Sequence, residues 1–172
     1  MSEKKIQKNT EEHTSVDNYG ELNLDTKVTV RSIAGWETGF ARKFDGVGDI
    51  RFTAGGTNRL SRAEIIGQVQ TGNSLFVGID GKGGHATLYI DDKATRLEVG
   101  FDTNDTEQNM FTDSKLKKLF DIKSLETFKK CFTDEIYTRA EKFAVIEAIK
   151  KLRLNDYAKI RFAEEYTGYK VQ

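Results

Sequence analysis

Two histidines, one cysteine and a glycine-rich run around a lysine are the residues whose types and spacing first suggest chemistry. His85 closes the run Gly78-Ile-Asp-Gly-Lys-Gly-Gly-His85. An imidazole titrates near neutrality and can serve as a general base. A phosphate-binding loop needs more residues before its Gly-Lys pair, then Ser or Thr and a helix. Here Gly83 follows Lys82 and strand-like residues come next, so the segment predicts a flexible hairpin joining Leu75–Ile79 to Ala86–Ile90. A calcium loop would need acidic residues at alternate positions and a closing glutamate, and the run lacks both. Structural zinc needs clustered ligands, whereas His13, His85 and Cys131 are far apart in sequence. Cys131 lies between Phe128 and Phe132 in a helical pattern, where a buried, inert thiol is expected. No Gly-x-Ser-x-Gly elbow occurs, and the adjacent Asp91 and Asp92 read as a turn and not as an acid–base pair. The expectation is a protein with no catalytic site, no cofactor and no metal.

Binding chemistry is better represented. Trp36, Phe40, Arg42, Lys43 and Arg59, with Arg31 and Arg51 nearby in sequence, could place aromatic faces among basic side chains, as single-strand-binding barrels do. The competing reading puts Trp36 and Phe40 in the core and leaves the arginines solvated. Charge does not favour nucleic acid. Residues 1–26 hold 3 basic and 6 acidic residues, 27–101 hold 10 and 8, and 102–172 hold 14 and 13, so no basic arm exists. Residues 139–167 could form a helix-turn-helix, but Glu164 and Glu165 would oppose phosphates on its second helix.

The elements that must carry these residues follow from apolar periodicity. Residues 1–26 are polar without a sustained period and are expected to be a flexible arm, with no apolar stretch that would mark a secretory signal. Residues 27–101 alternate with period two: Val28 and Val30; Trp36, Thr38 and Phe40; Ile50 and Phe52; Leu75 to Ile79; Ala86 to Ile90; Leu97 and Val99. Glycine- and Asp-rich turns separate them, and six short strands predict a small β-barrel or compact sandwich. One helix is inserted, opened by a capping box of Ser61 and Glu64 and ended at Gly72. Residues 102–172 switch to period 3.6 and predict a bundle of about four short helices. Their caps are expected at Ser124, at Thr138 with Glu141, and at Asn155, with Gly168 closing the last. The fold class is thus α+β. The helical half carries Phe111, Phe120, Phe128, Phe132, Phe143, Phe162 and Tyr166, an aromatic surplus that could meet a partner. The lone cysteine fits a reducing compartment, and the chain has no proline, which removes slow prolyl isomerisation from folding.

Three segments carry a resemblance: Val28-Thr-Val-Arg-Ser-Ile-Ala-Gly-Trp-Glu-Thr-Gly-Phe, Arg59-Leu-Ser-Arg-Ala-Glu-Ile-Ile, and Gly78-Ile-Asp-Gly-Lys-Gly-Gly-His-Ala-Thr-Leu-Tyr-Ile. With Leu154-Asn-Asp-Tyr and Glu165-Tyr-Thr-Gly, they resemble small uncharacterised structural and accessory proteins of tailed bacteriophages and prophages. The resemblance implies a virion-associated assembly or accessory role, in several copies, in the cytoplasm of the producing cell or in the virion. It transfers no functional residue. The resulting expectation is a non-enzymatic protein acting by contact with itself or other virion proteins. The alternative is a nucleic-acid-binding accessory protein that uses the β-rich half.

Overall fold

A computed structural model describes residues 22–172. Most of the expected arm, His13 included, lies outside them. The β-rich half holds β1 (Lys27–Ser32), β2 (Thr38–Ala41), β3 (Asp49–Phe52), β4 (Thr57–Ser61), α1 (Arg62–Gln70), α2 (Ser74–Val77), β5 (Leu88–Ile90) and α3 (Lys93–Glu98). The helical half holds α4 (Asp113–Phe120), α5 (Leu125–Glu135), α6 (Arg139–Leu152) and α7 (Tyr157–Thr167).

β1 is the centre of a three-stranded antiparallel sheet ordered β4-β1-β5, pairing Val28 with Leu60 on one side and Val30 with Ile90 on the other. β2 and β3 form a separate antiparallel hairpin, with Phe40 opposite Ile50. The expected barrel does not close, because two runs with apparent period two are helical. Leu75–Ile79 was expected to be a strand, but Asn73 accepts from Leu75 N and opens the single turn α2, which ends at Gly78. Leu97 and Val99 were expected to be a strand, but Asp92 caps α3 by accepting from Thr95 N at 3.0 Å. A short apolar run fits one helical turn as well as a strand, and in both places an Asx cap decides.

Alternation along β1 sends Val28 and Val30 inward, where they meet Ile50, Phe52, Leu60, Leu88 and Ile90 from the other strands. Ile65 of α1 and Phe76 of α2 close this first core. In the second core α4–α7 pack around Phe128, Phe132, Ile136, Val145 and Ile149, all fully buried. The capping box of Thr138 and Glu141 is present at α6, and Ser124 caps α5. α7 is capped by Asp156 and not by Asn155, and the left-handed Gly168 ends it. Of the seven aromatics expected to exceed what the bundle can bury, Phe128 and Phe132 are fully buried, the other five are half-buried, and none is exposed.

A third, smaller core joins the halves: Ile33, Ala34, Ala86 and Tyr89 pack against Ala140, with Trp36, Met110, Phe111 and Ala144 around them. The buried Tyr89 hydroxyl accepts from Phe111 N at 2.9 Å and ties the connecting segment to β5. Among the described residues no helix is long and apolar enough to cross a membrane.

Candidate functional site

The turn from β2 to β3, Arg42–Gly48, is held from below by one side chain. Ser61 caps α1 by accepting from Glu64 N at 3.0 Å. A reciprocal capping box would aim the Glu64 carboxylate back at Ser61 N. Instead Ser61 N donates to Asp45, and the carboxylate turns toward the loop. It accepts from Lys43 N at 3.0 Å, Phe44 N at 2.6 Å, Asp45 N at 2.9 Å and the Gln68 side chain at 2.7 Å. Glu64 has 0% exposure. Burial alone would push its carboxyl up, but the hydrogen bonds from Gln68, Phe44, Asp45 and Lys43 outweigh that and hold it below the usual carboxylate range.

Further bonds fix the same loop. Arg42 N donates to Gly48 O at 2.9 Å and closes the turn. Gln68 also donates to Ala41 O at 2.8 Å. The nearly buried Asp45 carboxylate pairs with Lys27 Nζ at 2.9 Å and accepts from Ser61 N at 2.9 Å. Burial opposes its charge too, but Ser61 and Lys27 win and lower its pKa. Gly46 and Gly48 supply the turn at φ +102° and +98°, a region that side chains with a Cβ rarely enter.

This fixed loop displays apolar side chains to water. Val47, between the two glycines, is 101% exposed and Phe44 is 64% exposed. The Phe44 ring lies over Gly67 of α1, so close that a Cβ there would sit 2.2 Å from its Cε2 atom. Burying a Val or Phe side chain is worth about 1.5–3 kcal/mol, so leaving Val47 wholly and Phe44 largely in solvent forgoes roughly 2.5–5 kcal/mol. The loop is also pre-ordered, so a partner that covers it meets little further ordering cost. With Asp45 and Glu64 turned inward, the solvent face carries Lys27, Arg42, Lys43 and Arg59, with Asp49 beside them.

The five binding residues read from sequence divide three ways. Arg42 and Lys43 belong to the loop, and Arg42 Nη1 donates to Asp45 O at 3.2 Å. Arg59 on β4 joins them through Lys27, whose carbonyl it reaches at 2.8 Å. Phe40 lies beneath, ring to ring with Phe76 at 5.4 Å and Phe52 at 6.2 Å, in the first core. Trp36 is elsewhere, at the junction of the halves, with the Arg139 guanidinium 4.4 Å above its ring. The sequence reading missed Phe44 and Val47 and assigned Glu64 only to a cap. The signal that could have found them is Phe44-Asp-Gly-Val-Gly48, an apolar residue isolated between glycines in a turn.

His85 occupies a different place. Its Nδ1 lies 2.9 and 3.1 Å from the two oxygens of Glu141, which also accepts from Tyr137 N and Thr138 N at the start of α6. The residue sits at φ +57°, a strained conformation for a side chain with a Cβ. A carboxylate orienting an imidazole is half of a catalytic arrangement, whose other half is a nucleophile on the second ring nitrogen. Among the described residues no side chain hydrogen-bonds that nitrogen, and the pair ties the glycine-rich loop to α6. Asp80 shapes that loop by accepting from Lys82 N and Gly84 N, so the expected flexible hairpin is an ordered turn between α2 and β5.

An open groove of about 840 Å³ runs between the end of β1 and the α4/α6 face, floored by Ile33, Ala34, Phe111 and Phe143. Its rim charges are partly paired, with Lys151 on Asp113 at 2.7 Å. Compared with known proteins, the chain matches no protein family, no curated protein and no solved structure.

Proposed function

We propose that this protein is a non-enzymatic, phage-type structural or accessory component that works by protein–protein contact through the Arg42–Gly48 loop. The observation that carries the reading is the pairing of rigidity with exposure: a buried carboxylate grips three successive backbone N–H groups while Phe44 and Val47 stand in water. A loop that only had to connect β2 to β3 would not need an ionised side chain buried under it. The partner this surface fits is a polypeptide with an apolar pocket and carboxylates at its rim, opposite Arg42 and Lys43. The phage assignment rests on the sequence resemblance alone. It adds the expectation that the partner is a further copy or another virion protein.

The second reading, binding of single-stranded nucleic acid, draws on the same place, since Phe44 is an exposed ring among Arg42, Lys43 and Arg59. Phe40 and Trp36 lend it little, because their faces are engaged by Phe76 and Arg139. The two readings separate in solution mass by light scattering, at two salt levels and with a single-stranded oligonucleotide. The contact reading predicts assemblies that persist in high salt, ignore oligonucleotide and are lost in Val47→Asp. A monomer that gains mass only with oligonucleotide, and loses it in high salt, supports the second reading instead.

A further inference from the structure

The groove between the end of β1 and the α4/α6 face complements the β2–β3 loop in shape and charge. Its apolar floor is already fixed. Phe111 N donates to the Tyr89 hydroxyl at 2.9 Å. The Phe143 ring is braced by Gly35, where a Cβ would sit 2.3 Å from it, and by the Tyr169 ring at 5.5 Å. Both phenylalanines stay half-buried and leave apolar surface facing the groove. Its volume of about 840 Å³ lies within the roughly 300–1,000 Å³ typical of ligand pockets, ample for two side chains. Asp113 and Glu147 stand at the rim, both partly exposed and each paired with one lysine. The loop offers the converse. Val47 sits between two glycines, which keep the tip narrow, with Phe44 close behind it and Arg42 and Lys43 at its base. Loop and groove lie at opposite ends of β3, Gly48 at one and Ala54 at the other. About 20 Å of extended chain separates them, so a copy does not fill its own groove.

We infer that Val47 and the exposed edge of Phe44 of one copy seat in the groove of a second copy, against Phe111 and Phe143, with Arg42 and Lys43 over Asp113 and Glu147. The inference rests on the contact reading of the loop and names its partner as this same chain. Both surfaces are fixed before they meet, which keeps the ordering cost of docking low. At the rim each carboxylate exchanges an exposed lysine for a cation of the loop, a swap that sets register more than affinity. The two sides of the contact are different surfaces, so every copy presents one loop and one groove. The contact therefore repeats head to tail, into a ring or a filament, instead of stopping at a dimer.

The test is solution mass by light scattering, over a concentration series, for two variants of the full chain, alone and mixed one to one. Val47→Asp spoils the loop and keeps the groove, whereas Ala144→Lys puts a cation on the half-buried groove wall and keeps the loop. Each alone should stay monomeric. The mixture should form a species of twice the mass of one chain and stop there, because it holds one competent loop and one competent groove per pair. Glu147→Lys, at an exposed rim position, should raise the concentration needed for assembly about fivefold. Circular dichroism shows whether Ala144→Lys folds, and if it does not, Glu147→Lys decides. A mixture of folded variants that stays monomeric, or a parent that never assembles, overturns the inference. Groove variants that assemble like the parent while Val47→Asp does not also overturn it, and the contact reading then stands with a different partner surface. If Val47→Asp assembles like the parent, the contact reading falls as well.

Discussion

Replacing Glu64 by Gln keeps the side chain's shape and removes its charge, so it isolates what the buried carboxylate contributes. The two oxygens accept from three backbone N–H groups and one amide. Hydrogen bonds to a charged group are worth about 1.5–3 kcal/mol, against about 0.5–1.5 for neutral ones. The Gln amide nitrogen would also face at least one N–H donor, and an unsatisfied buried donor costs about 1–3 kcal/mol. The substitution should therefore cost about 2–4 kcal/mol at pH 7, a large share of a typical domain's 5–15. Urea unfolding followed by the single tryptophan, Trp36, measures this, because its packing on Arg139 depends on the two halves staying docked. The pH dependence has a definite sign. The folded carboxyl lies below its ordinary value of 4.5, so its contribution is present above that value and is lost as pH falls through the lower folded value. The gap between parent and variant should thus be full at neutral pH and shrink in acid. A gap under about 0.5 kcal/mol at pH 7, or one unchanged by acid, refutes the role given to Glu64.

Further substitutions address other parts of the structure. Gly67→Ala places a methyl where the Phe44 ring now lies, and that ring is free to swing into solvent. It should leave stability unchanged or raise it by up to about 1 kcal/mol through helix propensity, while weakening assembly measured by light scattering. His85→Ala and His85→Gly both remove the bond to Glu141, but only glycine relieves the left-handed backbone. His85→Gly should therefore be the more stable of the two by about 1 kcal/mol in urea unfolding. Tyr89→Phe should cost about 1–3 kcal/mol by leaving Phe111 N without its acceptor. Burial pushes the Tyr89 hydroxyl up to about 12, so its contribution is complete below its ordinary value of 10.0 and is lost as pH rises through about 12. Tyrosinate absorbance should lose its latest-titrating group in Tyr89→Phe.

Much of the architecture was legible where a polar cap and an apolar period agreed. Thr138 with Glu141, Ser124 and the closing Gly168 located α5 to α7, and the alternation at Val28 and Val30 located β1. Where the apolar run was one turn long, as at Leu75–Ile79 and Leu97–Val99, period alone pointed to strands. Asn73 and Asp92 carried the contrary signal as caps. Arg42, Lys43 and Arg59 were legible as a basic group because sequence shows charge directly. Which aromatic is exposed depends on tertiary packing, and so the sequence pattern points to Phe40 and Trp36 although Phe44 is the one in solvent. Glu64 shows the same limit. Its spacing from Ser61 specifies a capping box, and only the return of the β2–β3 turn over α1 supplies the N–H groups that draw its carboxylate away.

If the Phe44/Val47 loop is the protein's contact surface, a charge at its tip must abolish assembly. The decisive comparison is the solution mass of Val47→Asp against the parent chain, in high salt and with oligonucleotide present. The parent should assemble, and the variant, with its fold intact by circular dichroism, should stay monomeric. Assembly that survives the substitution, or that depends wholly on oligonucleotide, contradicts that role of the loop.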